Sequence, residues 1–401
     1  MKYSTLLNIS IGLLVLDIMI DPPNLIFHSK YLLFVIVFLI WFLKIIKTKT
    51  KIVVPKSLFF VLAFISLFMP FYALSVGIIN SILNDTEIGT LAYFNSFFFF
   101  LLLLVIVNEN IELTKFINYS SLMVVGITLG FYLILLLSPT FFTVIYHYFV
   151  IDKGVAVYAL RNYGGVTLIM MFYKTSPILV FPLSYYLYRI FITPEKRRLI
   201  PDIIVLCLII AALFISGTRA NVVSLIAIVL FYFGFYIYKK SKEWFVLINI
   251  ASLLLALFAL PVFFDLLLNK HEASNMIKFG HFSSYLDHFE NHKIMSIFGQ
   301  GIGGSFYSSG INKLSNISEL TYLELIRIWG FPITLLFLSA LILPLINEIR
   351  SKNISHIFIA YITYLFIAGT NPLLLSSTGM IVLVYVFSFS YYKCYKTNSW
   401  T

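Results

Sequence analysis

Arg219 stands in SGTRANVVS, between two apolar runs, and both its type and its place point to anion chemistry. Ser216, Gly217 and Thr218 read as the end of one helix and Arg219 as the start of the next. A helix N-terminus offers unpaired N–H groups and partial positive charge. Arginine adds a planar fork that matches phosphate oxygens. The plainer alternative is a flanking charge that reaches to lipid headgroups. Arg161, in ALRNYGGV, has a similar setting, and Gly164 and Gly165 beside it permit close backbone approach.

The second group is acidic and mixed. Glu319, in ISELTYLELIRIWG, reads as the opening of a helix with Ser318 as its N-cap. The helix dipole favours its ionised form, which can accept a proton or a sugar hydroxyl hydrogen, although a first-turn glutamate also simply stabilises a helix. Glu324 and Arg327, three residues apart, share a helix face and read as an ion pair. Lys174 falls about ten residues into the apolar run 164–190, or roughly 15 Å down a helix. A charge at such depth faces a cavity or a partner, and Pro177 and Pro182 loosen the backbone beyond it.

The stretch 265–318 is polar and carries His271, His281, His288 and His292 with Lys278, Asp287, Glu290 and Lys293. His288 and His292 have the spacing of metal ligands, but HExxH and a third ligand at a recognised spacing are both missing. A solvated amphipathic helix is the better reading, with His281 or His288 as a candidate proton shuttle. FGQGIGGSF lacks the preceding strand that a dinucleotide loop needs, and reads as a turn leading back toward the membrane. Asp17 and Asp21, beside Pro22 and Pro23, are more simply a helix end than a lipid-phosphate site.

The elements that must position these residues follow from composition. The chain is 60% hydrophobic and 11% charged, with mean hydropathy +0.96. Soluble domains carry about 25% charged residues. The apolar excess runs the whole length, and spans of about 20 such residues cross a bilayer as helices. The sequence therefore predicts an all-α, polytopic membrane bundle over 1–401. Twelve spans are expected, near 4–20, 31–46, 57–79, 89–107, 115–137, 164–190, 200–216, 220–238, 244–264, 319–345, 354–370 and 376–393.

The net charge of +11 does not imply nucleic acid here, because short loops hold most of it. With Lys2 inside, one side carries eighteen Lys and Arg and the other eight. That bias puts both termini in the cytoplasm, with 265–318 as a large outer loop and 138–163 as a smaller one. The smaller loop is aromatic and suits a strand-like or interfacial segment. Cys207 and Cys394 are far apart in apolar sequence and suggest neither a disulfide nor a zinc site. The first apolar run lacks a small-residue cleavage site and is expected to stay as a helix.

SGTRANVVSLIAIVL, a basic inner loop, a long outer loop, FGQGIGGSF and ISELTYLELIRIWGFPITLLFL together resemble the Wzy-type O-antigen and capsule polymerases. These belong with O-antigen ligase in one superfamily, and the resemblance covers roughly 160–345. It implies a C-type glycosyltransferase fold and metal-independent, inverting transfer between polyprenyl-pyrophosphate-linked oligosaccharides. The setting would be the outer face of a bacterial inner membrane. Arg219 matches the diphosphate-gripping arginine, and Arg161 a second one less closely.

Where the ligases carry a histidine, this chain has Glu319, which favours a polymerase and makes Glu319 the candidate base or acceptor-orienting residue. Lys174 and Arg327, with Glu324, would support the diphosphate. Lys278, His281 and Tyr322 would contact sugar, with 265–318 as a lid. No metal or other cofactor is implied. Partners would be the lipid-linked donor and acceptor, the bilayer, a chain-length regulator and a flippase. The rival readings are a ligase, a flippase and a non-catalytic scaffold. A flippase needs a charged path across the membrane, for which Lys174 and Arg327 with Glu324 are the available residues.

Overall fold

The computed structural model describes residues 3–84, 91–163, 166–194, 198–243, 273–351 and 354–398. Helix dominates. Among the described residues, six helices are long and apolar enough to cross a membrane: Tyr3–Ile20, Lys30–Thr48, Lys56–Asn80, Leu113–Leu137, Arg219–Lys240 and Thr321–Arg350. Phe94–Glu109, Leu199–Ile215 and His356–Gly369 are shorter apolar helices. The chain is thus a helical membrane protein. The expected span 244–264 lies outside the described residues.

The chain divides into two units, Met1–Ser120 with Ile277–Ile354 and Ala368–Thr401, and Ser121–Met276 with Ser355–Ile367. In the first unit, α1 (Tyr3–Ile20) and α2 (Lys30–Thr48) form a hairpin that turns through Asp21–Ser29. Next come α3 (Lys56–Ala63), a π-helical turn (Phe64–Phe68) and α4 (Met69–Asn84), which make one continuous rod. The π turn has a local cause. Pro70 has no N–H to return to the Ser66 carbonyl, and the wider turn absorbs the lost bond. α5 (Leu91–Phe97) and α6 (Leu102–Glu109) lead into α7 (Leu113–Leu137).

The second unit departs from the expected helix over 164–190. After α8 (Pro139–Ile145), strands β1 (Ala156–Tyr163) and β2 (Val166–Tyr173) pair antiparallel, with Tyr163 opposite Val166 and Ala156 opposite Tyr173. Helix resumes only at a 3-10 turn, Ser176–Leu179, and α9 (Val180–Phe191). Hydropathy cannot separate a short apolar strand from a buried helix, whereas a Gly-Gly pair between two β-branched and aromatic runs is a hairpin signal. α10 (Leu199–Ile215) and α11 (Arg219–Lys240) then pack against α9.

The polar stretch folds, over its described part, into α12 (Ala273–Asn291), α13 (Lys293–Phe298) and a small hairpin, β3 (Phe306–Ser308) with β4 (Lys313–Ser315). The expected span 319–345 becomes α14 (Thr321–Arg350), which is broken at Gly330, with φ 78° and ψ 164°. Pro332 has no N–H for the Ile328 carbonyl, so the break leaves acceptors unmet. The glycine segment FGQGIGGSF fills them. Gln300 N–H donates to the Arg327 carbonyl at 2.6 Å and Gly301 N–H to the Ile328 carbonyl at 3.0 Å. The far side of that segment is tied to α4, where Ile302 N–H reaches the Ala73 carbonyl (2.9 Å) and Asn80 Nδ2 the Gln300 carbonyl (2.6 Å). α15 (His356–Gly369) and α16 (Ser377–Asn398) complete the chain.

Candidate functional site

The residues singled out from sequence fall into two sets, one in each unit. Lys278, His281, Glu319, Tyr322, Glu324 and Arg327 belong to the first, and Arg161, Lys174 and Arg219 to the second.

The first set is built around Arg327. Arg327 is 2% exposed and Glu324 is fully buried. Arg327 Nε and Nη2 form a fork on Glu324, at 2.9 and 2.7 Å. Nη1 donates to Gln300 Oε1 (2.7 Å) and the Gly304 carbonyl (2.6 Å), and Nη2 also to the Asn316 carbonyl (2.9 Å). Five bonds match the five guanidinium hydrogens. The Phe306 ring lies 5.2 Å from the guanidinium carbon. Arg327 therefore ties α14, the glycine segment and the β-hairpin together, the structural ion pair that its spacing suggested.

Tyr285 was not singled out from sequence. Its hydroxyl donates to Glu324 Oε2 at 2.5 Å, and its ring stacks on Phe306 at 4.5 Å. Burial first, and then the Glu324 carboxylate, push the phenol well above its ordinary range, so it stays a donor. The signal was present, since His281, Tyr285 and His288 recur at helical spacing on one face of α12. His281 is 4% exposed, and its Nδ1 lies 2.7 Å from Ser308 Oγ in a hydrogen bond. Burial lowers its proton affinity, opposed by the charges of Glu319 and Glu324.

Glu319 differs from these. α14 begins at Thr321 with Leu320 at its cap, so Glu319 precedes the helix and Ser318 does not cap it; the Ser318 hydroxyl accepts the Leu320 N–H instead, at 3.1 Å. The Glu319 side chain is 51% exposed and pairs with Lys278 at 3.6 Å. This corrects the reading of Glu319 as a first-turn residue with Ser318 as the helix cap. Tyr322 is half-buried with its ring against Gly369.

His288 and His292 have ring centroids 5.0 Å apart. Burial first, then His292 and Arg327, hold His288 down at about 4, and its Nε2 is buried without a hydrogen-bond partner. No group of three or more His, Cys, Asp or Glu that could hold a metal occurs among the described residues.

In the second unit, Gly217 turns the chain at φ 60° against the Met170 side chain of β2, and Thr218 is the extended cap before Arg219 opens α11. Asn221, fully buried, donates to Ser216 Oγ (2.9 Å) and Ser176 Oγ (3.1 Å) and so clamps the turn onto the start of α9's segment. Arg219, partly exposed, donates from Nη1 to Asn275 Oδ1 at 3.0 Å. Arg161 lies on β1 opposite Leu168, and its side chain is outside the described residues. Lys174 is exposed in the turn after β2, with its N–H on the Val155 carbonyl (2.9 Å). Its expected depth inside a helix is thereby corrected, because the residues before it are strand. No protein-family model and no curated protein matches the chain.

Proposed function

We propose that this protein joins polyprenyl-pyrophosphate-linked oligosaccharide repeats into a longer glycan, as the resemblance to Wzy-type polymerases implies. The observation that carries the reading is Glu319. Within the cluster around Arg327, Glu324 is consumed by its partners, while Glu319 keeps a half-exposed carboxylate beside a cation, Lys278. A solvated carboxylate held at the edge of a rigid polar centre suits the removal of a proton from a sugar hydroxyl.

In this reading the acceptor hydroxyl attacks the donor's anomeric carbon. A new C–O bond forms as the bond to the diphosphate breaks, with inversion, and the hydroxyl proton passes to Glu319. By the resemblance, the charge that develops on the departing diphosphate falls to Arg219, at the N-terminus of α11, with Arg161 and Lys174 as further cations. Lys278 and Tyr322 contact sugar, and the buried His281, with Arg327 and Glu324, positions them. The stretch 265–318 faces outward from a bacterial inner membrane, and both termini are cytoplasmic.

The test is the glycan size ladder of cells whose only copy is Arg219→Ala or Glu319→Gln. Long chains should vanish while single-repeat material still reaches the surface. If lipid-linked units instead accumulate on the inner leaflet, the protein is a transporter.

A further inference from the structure

Asp17, Asp21 and Lys30 are buried together where α1 turns into α2, at 6%, 0% and 3% exposure. Asp21 is fully used by the turn. Its Oδ1 accepts the Leu25 N–H (2.8 Å), and Oδ2 those of Ile26 (2.7 Å) and Phe27 (2.8 Å). Three such donors suit an ionised carboxylate. Lys30 Nζ donates to the Pro22 carbonyl (2.7 Å) and to Ser377 Oγ of α16 (3.2 Å), and it makes no direct ion pair among the described residues. Asp17 Oδ2 accepts the Ser29 hydroxyl at 2.6 Å, while Oδ1 is buried with no hydrogen-bond partner. Among the described residues, the charged groups facing Asp17 are Asp21 and Lys30, and α16 contributes the Ser377 hydroxyl to Lys30.

The charges do not balance. Two buried carboxylates share one buried ammonium, and the carboxylate with three N–H donors is Asp21. An ionised Asp17 would leave a buried charged oxygen without a donor, which is costly in an apolar interior. Asp17 is 6% exposed and its Oδ1 is buried, so bulk water does not reach that oxygen. We propose that Asp17 is a proton-binding site, its carboxyl held neutral with the Ser29 hydroxyl donating to Oδ2. A metal cation fits less well, because hard cations need several oxygens and those of Asp21 and Pro22 are already engaged. This site is independent of the glycosyl-transfer reading.

The test uses dicyclohexylcarbodiimide, which adds to protonated carboxyl groups in apolar surroundings, on the full-length protein in membrane vesicles. Peptide mass spectrometry should find the adduct on Asp17, decreasing as pH rises, unaffected by sodium and absent from Asp17→Asn. Labelling of other carboxyls with Asp17 untouched would overturn the proposal, as would protection by sodium, which would mark a sodium site. A second measurement is independent of labelling. Asp17→Asn replaces a neutral acid by a neutral amide and should leave the thermal midpoint close to that of the parent, whereas Asp21→Asn should lower it. A loss with Asp17→Asn as large as with Asp21→Asn would mean that Asp17 is charged, and the proposal fails.

Discussion

Arg327 shows how a single buried residue can organise a region without doing chemistry. Its five bonds are internal, so removing either charge of the pair leaves the other buried and uncompensated. Arg327→Leu or Glu324→Leu alone should each cost about 3–5 kcal/mol, and the double substitution less than the sum, measured by thermal unfolding in detergent. His288 gives a pH prediction. Its ordinary value of 6.5 falls to about 4 in the fold, mainly through burial. Between those values the unfolded chain binds a proton that the folded chain refuses, so stability falls as pH drops through this window. His288→Gln should narrow the difference in thermal midpoint between pH 7 and pH 4.5.

At the level of elements, the break in α14 and the glycine segment are one device. A proline removes a donor, a glycine turns the chain, and a loop rich in glycine enters closely enough to supply the missing N–H groups. Gly301 has φ 80°, and a Cβ there would sit 2.1 Å from the Gly77 nitrogen of α4. Gly301→Ala should therefore cost more than the roughly 1–3 kcal/mol of backbone strain alone, because backbone cannot move aside cheaply. Gly126 and Gly130, inside α7, have open space where a Cβ would go. Alanine at either should raise stability by about 0.5–1 kcal/mol, which makes them a control in the same melting experiment.

Over the whole molecule, the lysine and arginine bias predicts an orientation that can be measured. In a background of Cys207→Ser and Cys394→Ser, a cysteine at the exposed Ser283 of α12 should react with a membrane-impermeant maleimide on intact cells or spheroplasts. A fluorescent reporter fused after Thr401 should fold in the cytoplasm. Maleimide labelling only after lysis would place 265–318 inside and remove the basis for glycosyl transfer on the outer face.

The amino-acid sequence by itself determined that this is a helical membrane protein, because apolar runs of spanning length leave the backbone no other way to satisfy itself in lipid. It also determined the Glu324–Arg327 pair, since three-residue spacing on a helix brings two side chains together wherever the helix lies. Local rules reach that far. The hairpin at 156–173, the exposure of Lys174, and Glu319 standing ahead of its helix are decided by tertiary structure, because an apolar segment reads alike as strand or helix until its neighbours choose. The same holds for the unmatched oxygen of Asp17 and for the glycine segment that completes α14, since each depends on what distant parts of the chain do or do not donate.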